Sequence, residues 1–420
     1  MYLIRRLRSF FSKPFARQVK ILFWVAKTLS LWLLQRSLGS LLGIGLLGFL
    51  VLLTPFKRVR LSSVHVTRIG HLALNLDLFA RRQQQHPSIP QGAWHLMIAD
   101  DARPANRELL RLWQRHLNLS ENPLARWVML LCEWLLKKTP YYIPLPMNSV
   151  EYHEFNELEP ILGFSAEEEA RGQEKLRQMG IGPEDWFVCV FARDSGYLER
   201  LLPSADWSCH ICRNSKIESF RPLIQWLIDQ GAYVVRMGTE VTQPFAFDNP
   251  HYIDYSAQHR DEFMDLYLCA KARAFVGGAS GMADVTNLFN TPRLQLDCVP
   301  FGFVPFGKQQ MSLPKRVVRI GTTEAVPYSE LIAKGLDLQA NGTLFNQAGY
   351  DYIDNSPAEM LAATQELMRM VTLPQPFNAE ELQLIEAVRL LFPPGHPTRE
   401  NLNPVSPSFI KANRHLFGLD

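Results

Sequence analysis

The chain has 420 residues, 47% hydrophobic and 20% charged, proportions that exclude a disordered protein and a length that suits two or three domains. Its net charge of +3 conceals an asymmetry: eleven of the 44 Lys and Arg fall within residues 1 to 60, where there is no Asp or Glu, so the 41 acids outnumber the bases of the remainder. An acidic body excludes general nucleic-acid binding, and a basic, apolar head points to an anionic membrane surface.

Residues 1 to 20 place Arg5, Arg6, Arg8, Lys13, Arg17 and Lys20 among Leu, Ile and Phe, the pattern of a basic amphipathic helix lying on a bilayer. An apolar run, Ile21 to Leu34, contains Lys27, and an uncharged one, Leu38 to Thr54, ends at Pro55. The uncharged run extends about 26 Å as a helix, against a hydrocarbon core of about 30 Å. A span, a re-entrant hairpin and an interfacial helix all remain open. No small-residue cleavage motif follows, so a removed signal peptide is not expected. Basic residues flank both ends and leave topology undecided.

The body opens with a period-2 strand, Val64 to Ile69, a turn at Gly70-His71 and a helix from Leu72 to about Arg82, the first βα unit of an open α/β domain. A strand over Trp94 to Ile98 precedes Asp100-Asp101, read as a loop or helix start. Helices follow through Asn106 to Trp113 and over Ala125 to Leu136. Ser165 and Glu168 form a capping box that starts the next helix, which runs to about Met179. A second series of βα units then reads as strand Trp186 to Ala192, a long polar loop (Glu199 to Asn214), helix Ile217 to Gln230, strand Ala232 to Met237, a short strand at Tyr252 to Asp254, and helix Asp261 to Lys271. Such alternation predicts a parallel, doubly wound sheet that binds ligands at its strands' carboxyl ends.

The fourth unit is the most informative. Ala274 to Val276 reads as a buried strand, Gly277 to Gly281 as a glycine-rich turn, and Met282 to Phe289 as helix. A turn of this kind presents backbone N–H groups to an anion; it also occurs in α/β proteins purely for packing. The expected phosphate contacts are the amides and hydroxyl at Ser280, Gly281 and Met282, with Gly277 and Gly278 permitting close approach and Asp284 reaching back to cap the turn. Residues 299 to 314 read as a Pro-, Gly- and Phe-rich loop flanking a pocket. Helices are predicted at Ser329 to Ala333, from N-cap Ser356 to Met370, and at Asn378 to Leu391; the tail from Pro393 has little periodicity. The six cysteines look like reduced core residues. Cys209-His210-Ile211-Cys212 has CxxC spacing, but zinc needs a second pair and none stands at suitable spacing.

With both βα-rich halves laid out, the body resembles the GT-B glycosyltransferases, two Rossmann-like domains facing a cleft. More narrowly it resembles a family of bacterial glycosyltransferases associated with surface polysaccharides. The matching stretches are Arg68-Ile69-Gly70-His71, Ala105-Asn106-Arg107, Phe191-Ala192-Arg193-Asp194-Ser195-Gly196-Tyr197, Cys212-Arg213-Asn214-Ser215, Val235-Arg236-Met237-Gly238 and Gly278-Ala279-Ser280-Gly281. The heptosyltransferase group, more distantly similar, has an Ile-Gly-Asp turn whose Asp is a proposed general base. Here the turn reads Ile69-Gly70-His71, and an imidazole of unperturbed pKa about 6.5 keeps base chemistry open beside a merely structural role. Fucosyltransferase-like enzymes place an arginine after the first strand of the donor domain, which makes Arg193 a candidate contact to the donor diphosphate, with Arg213 a second. Arg236 and Asp254, at strand ends, are candidates for the nucleotide pocket.

The resemblance implies an α/β protein in four parts: membrane-associated helices (1–60), an acceptor-side Rossmann-like domain (61–180), a nucleotide-sugar-binding Rossmann-like domain (181–375), and a C-terminal helix and tail (376–420). The implied activity is transfer of a sugar from a nucleotide-sugar donor to a lipid-linked or cell-surface glycan acceptor at the cytoplasmic face of the inner membrane. No D-x-D motif accompanies the donor half, so no metal or other cofactor is expected. Catalytic candidates are His71 and Arg193; donor-binding candidates are Arg193, Arg213, Arg236, Gly278, Ser280, Gly281 and Met282. Self-association or membership of a biosynthetic complex stays open. So do two other classes, a catalytically inactive scaffold for polysaccharide assembly and a nucleotide-sugar hydrolase or epimerase.

Overall fold

A computed structural model describes residues 15–85, 92–146, 153–196, 200, 206–239 and 241–419. The basic stretch before Phe15, and Tyr197, lie outside the described residues. From Phe15 the three segments expected of the head form one helix, α1 (Phe15–Leu53). There follow strand β1 (Val59–Val64), helix α2 (Ile69–Gln85), strand β2 (Trp94–Ala99), helix α3 (Arg107–Gln114), strand β3 (Leu119–Ser120) and helix α4 (Pro123–Leu136). Pro123 at the first helical position and the Asn122 side chain, which accepts from the amides of Leu124 and Ala125, start α4.

The first strand lies five residues earlier than the period-2 pattern suggests. Val59, Leu61 and Val64 are its buried apolar members, in parallel register with Trp94, Leu96 and Ala99, and Ser62 is buried with them opposite Met97. Residues 65–68 leave the sheet, so Gly70 stands in the first turn of α2 instead of in a turn before it.

The chain divides into two compact units, and the division differs from the expected boundaries. One unit holds residues up to His65, Pro87–Arg103 and Gln114–Leu145; the other holds Val66–His86, Pro104–Trp113 and Pro146–Asp420. The first contains α1, α4 and a parallel sheet of order β1-β2-β3, around a core that includes Leu50, Val59, Leu61, Ile98, Met129, Cys132 and Leu136. Helices α2 and α3, which sequence order assigns to the first domain, belong to the second unit.

In that second unit the chain runs through α5 (His153–Glu157), α6 (Ala166–Gln178), β4 (Phe187–Phe191), α7 (Arg221–Asp229), β5 (Tyr233–Arg236), β6 (Tyr252–Ile253), α8 (Tyr255–Gln258), α9 (Glu262–Lys271), β7 (Ala274–Gly277), α10 (Gly281–Val285) and β8 (Arg293–Cys298). It ends with β9 (Gln310–Pro314), β10 (Arg316–Arg319), α11 (Tyr328–Ala333), α12 (Gly342–Gln347), β11 (Tyr350–Ile353), α13 (Pro357–Thr372), α14 (Ala379–Leu390), α15 (Pro397–Glu400) and α16 (Pro407–Ala412). The capping box at Ser165 starts α6 as its spacing predicts, and capping boxes at Ser356, the expected N-cap, and at Asn378 start α13 and α14.

Six of these strands form one parallel sheet in the order β6-β5-β4-β7-β8-β9. Counted from β4 this is 3-2-1-4-5-6, the order of dinucleotide-binding sheets, whose crevice opens where the order reverses, between β4 and β7. Val188, Val190, Val234, Val276, Leu294 and Met311 put the sheet at the centre of the main core. Residues 376–420 do not form a separate tail: Leu384, Val388, Phe409, Ile410, Leu416 and Phe417 are buried in this same core. The edge strand β9 lies inside the stretch expected to be loop.

Candidate functional site

A cavity of about 530 Å³ opens in the second unit where β4 and β7 end, a volume within the range of small-molecule sites. Three kinds of wall enclose it. The loop after β4 supplies Arg193 and Asp194, with His210 and Arg213 further along; the turn after β7 supplies Ala279 to Met282; and the start of α2 supplies Arg68 to His71. Leu74, Leu78, Phe155, Phe303 and Phe306 make the remaining side apolar.

The turns around Gly70 and Gly281 meet face to face. A Cβ on Gly281 would lie 2.7 Å from both the Gly70 nitrogen and Ile69 Cγ2, and one on Gly70 would lie 2.8 Å from Asp284 Oδ2. Gly281 therefore requires glycine for space, because backbone blocks a Cβ there, whereas at Gly70 a Cβ would first displace the Asp284 carboxylate; neither uses a left-handed backbone. Gly277 serves differently from the expectation: its missing Cβ makes room for the Phe191 carbonyl of the neighbouring strand. Gly278 packs under the β4 loop, where a Cβ would stand 3.4 Å from that of Arg193, and it is not part of the cavity wall.

Arg193 is buried, and its Nη1 donates to the His210 carbonyl at 3.0 Å and to Asn214 Oδ1 at 2.7 Å. Burial, and then the neighbouring Arg213 charge, lower its pKa to about 10. Arg213 donates weakly from Nη2 to the Ala340 carbonyl at 3.4 Å, and its buried Nε has no hydrogen-bond partner among the described residues. Arg68 stands on the same wall, its guanidinium 5.6 Å from the Trp207 ring centre. The His210 imidazole is held neutral: burial first, then Arg213, Arg193 and Arg68, lower its pKa to about 4. Arg236, Arg260 and Arg293 lie 3.2, 3.0 and 3.8 Å from Asp254, Asp265 and Asp284, whereas Arg68, Arg193 and Arg213 form no ion pair among the described residues. Excess positive charge thus gathers at the crevice.

Asp284 does not cap the turn. That role falls to Ser280, whose Oγ accepts from the Ala283 amide at 3.2 Å. The Asp284 carboxylate turns instead toward Gly70, in the cavity wall, with 32% of its side chain open. Open to the cavity but removed from bulk water, it is pushed up to about 6, burial outweighing the attraction of Arg293 and Arg213. His71 shares this wall, in the first turn of α2, with Nδ1 at 3.4 Å from Asn75 Nδ2.

Of the residues singled out in the sequence, the fold gathers His71, Arg193, Arg213, Ser280, Gly281 and Met282 around one cavity. It leaves Arg236 elsewhere: that guanidinium is buried, donating to Asp254 and, at 2.6 Å, to the Gln243 carbonyl. Arg68 was not singled out, although it directly precedes the Ile69-Gly70-His71 turn. Asp194 was also passed over; it accepts from the amide and hydroxyl of Thr242 at 2.7 and 2.9 Å and so ties together the loops after β4 and β5. Cys209 and Cys212 are free thiols, and Cys212 packs against Gly342 at the start of α12. Among the described residues no three His, Cys, Asp or Glu side chains converge as a metal would require.

No family model matches the chain, and no curated protein matches it. Among solved structures it is similar to a glycosyl transferase family 9 protein from Veillonella parvula, at 11% identity over 67% of this chain and 89% of that one, with a TM-score of 0.41. It is also similar to the E. coli ADP-heptose LPS heptosyltransferase II (15%, 69% and 99%, 0.36) and to an E. coli heptosyltransferase solved with ADP (12%, 61% and 91%, 0.32). At such identities and scores, the chemistry of the cavity rests on its own residues.

Proposed function

We propose that the second unit is a glycosyltransferase whose cavity takes a nucleotide-sugar donor. The observation that carries this reading is the convergence of Arg68, Arg193 and Arg213 on one crevice, where none of the three forms an ion pair among the described residues although Asp194 and Asp284 line the same cavity. Arg193 and Arg213 repel each other, and a diphosphate relieves that repulsion while using the planar, bidentate geometry of guanidinium. The crevice is also where an open α/β sheet binds nucleotides.

In this reading the diphosphate lies among Arg193, Arg213 and the amides of Ser280 to Met282. The sugar then points toward the Gly70–Gly281 contact, where Asp284 and His71 stand. The acceptor hydroxyl gives its proton to one of these bases, Asp284 being poised by its pKa of about 6. A new C–O bond forms at the anomeric carbon, the bond to the donor phosphate breaks, and the nucleoside diphosphate leaves with the negative charge that the arginines stabilise. The same positive charge does the work of a chelated cation, so transfer is metal-independent. The acceptor is lipid-linked and met at the cytoplasmic membrane face. Two features favour that choice: the helix segment Gln35–Leu53 is apolar enough to enter a bilayer, and one wall of the cavity is lined by Leu and Phe.

The test is calorimetric titration of the full chain with ADP, UDP and GDP, followed by turnover of the matching nucleotide sugars with membrane lipid extract. Binding with transfer supports the assignment. Binding without any turnover makes the chain a scaffold, and release of free sugar without transfer makes it a hydrolase.

A further inference from the structure

The first unit carries an apolar surface that sugar transfer does not use. The segment Gln35–Leu53 of α1 has a mean hydropathy of 1.9 and only 17% of it is buried. Its 19 residues extend about 28 Å, close to the thickness of a hydrocarbon core. Length alone therefore allows a span.

Its neighbours do not. Leu50, 3% exposed, is packed in one core with Val59, Leu61 and Ile98 of strands β1 and β2. Those strands belong to an open parallel sheet with Ser62 and His95 hydrogen-bonded in its interior, and an open sheet edge is not tolerated in hydrocarbon. Further back along the helix, Gly39 and Gly43 dock α4. A Cβ on Gly39 would fall on the Leu131 carbonyl, and one on Gly43 would lie 2.8 Å from Leu135 Cδ2. The side of α4 away from Cys132 presents Leu124, Trp127 and Leu130 at three-residue spacing, Leu130 being 76% exposed. On α1, Leu41, Ile44 and Leu52 are likewise open, Leu52 at 73%. Arg36 stands 4.3 Å over the Trp134 ring, with the Lys138 ammonium 5.6 Å from it. Basic groups over tryptophan mark the headgroup level of an anionic bilayer.

We propose that α1 and α4 form one docking face that enters a single leaflet of an anionic phospholipid bilayer without crossing it. The two glycines bring α4 close enough to share the face. The partner is a lipid surface because the exposed residues continue a helix of membrane hydropathy and end in basic and aromatic groups. The inference shares the membrane-bound acceptor with the proposed function but is read from lipid contact alone.

Full-length protein is mixed with phosphatidylcholine–phosphatidylglycerol vesicles carrying photoreactive lipids, the reactive group either near the headgroup or at the acyl terminus, and crosslinked peptides are mapped by mass spectrometry. Peptides of both α1 (35–53) and α4 (123–136) are expected to crosslink to the shallow probe. Crosslinking of α1 to the terminal probe, with α4 untouched, overturns the proposal in favour of a span. The triple variant Leu124→Gln, Trp127→Gln, Leu130→Gln changes only partly or fully exposed side chains, so its melting temperature should hold while vesicle partitioning falls at least ~10-fold. Unchanged flotation together with a lower sedimenting mass would mean that the face joins two copies of the chain, which also overturns it. Nucleotide titration of the same variant separates the two readings. Lost flotation with retained nucleotide binding is the expected result, and flotation of a wild-type chain that binds no nucleotide would remove the transferase reading and leave this one standing.

Discussion

Replacing Arg213 by methionine tests the site with two readouts of opposite sign. The substitution keeps a long apolar stem and removes a guanidinium whose only hydrogen bond among the described residues is the 3.4 Å contact to the Ala340 carbonyl and whose Nε has no partner among them. In the ligand-free protein little is lost, and the repulsion that helps hold the Arg193 pKa down to about 10 is relieved. The melting temperature should stay level or rise. With a nucleoside diphosphate bound, a charge-assisted hydrogen bond disappears, worth about 1.5–3 kcal/mol, or roughly a 10- to 150-fold loss in affinity. Calorimetric titration gives the affinity, and the thermal shift on adding nucleotide should shrink in parallel. An unchanged Kd, or a fall in ligand-free stability as large as the fall in binding energy, would show that Arg213 is a packing residue and that no diphosphate lies beside it.

The remaining predictions concern the groups around it. Asp284→Asn should abolish most transfer while leaving nucleotide binding intact, and wild-type kcat/KM should drop as pH falls through about 6, where the carboxylate takes up its proton. Stability supplies an independent check: a folded-state pKa above 3.8 means that Asp284 favours folding at low pH, a contribution that fades as pH rises from about 4 to 6, so the Asn variant should be the more stable one at neutral pH. Gly281→Ala puts a methyl 2.7 Å from the Gly70 nitrogen; urea unfolding should register about 1–3 kcal/mol of destabilisation, and wild-type values would refute the contact. Arg81 is fully buried, donating to Asp77 at 3.0 Å and to the Leu158 and Asn287 carbonyls; Arg81→Leu should cost about 3–5 kcal/mol in the same assay because those acceptors are orphaned. Transfer in excess EDTA should match the untreated rate, and loss restored by Mn²⁺ or Mg²⁺ would mean that a cation shares the diphosphate with the arginines.

Much of the second unit was legible because its signals are local. Alternation of apolar runs and amphipathic stretches gives β4, β5 and β7, and the caps at Ser165 and Ser356 give two helix starts. Elements whose burial depends on distant partners were not legible. Strand β9 reads as loop because Phe, Pro and Gly surround it, and it becomes a strand only by pairing with Arg293 to Cys298. The stretch after Pro393 shows little periodicity because its buried residues answer to the core they enter, among them Phe409 and Phe417, and not to a helix face of their own. Strand β1 was displaced because Val64 to Ile69 alternates as well as Val59 to Val64 does, and only pairing with β2 decides between them. In the site, charge and glycine were visible but direction was not. Arg193 and Arg236 both stand at or just beyond strand ends, yet Asp254 engages Arg236 and Arg193 is left at the cavity, where Arg213 joins it from the long loop after β4.

The meeting of Gly70 with Gly281 explains why the catalytic candidates come from stretches so far apart in the chain. A site for a nucleotide sugar needs amides at the phosphate and a base at the sugar, one bond further along the donor. Here the β7 turn supplies amides and Asp284, while the α2 turn supplies Arg68 and His71, and the absence of side chains at the two glycines lets the backbones approach until both sets face one cavity. A side chain at Gly281 would push the α2 turn, with Arg68 and His71, away from the β7 turn, and one at Gly70 would displace the Asp284 carboxylate. The geometry therefore couples fold and chemistry at one contact: stability lost in Gly281→Ala should appear also as a loss in kcat, while Arg213→Met, which removes charge from both the bound donor and the leaving diphosphate, should lower affinity and kcat together without a loss of stability.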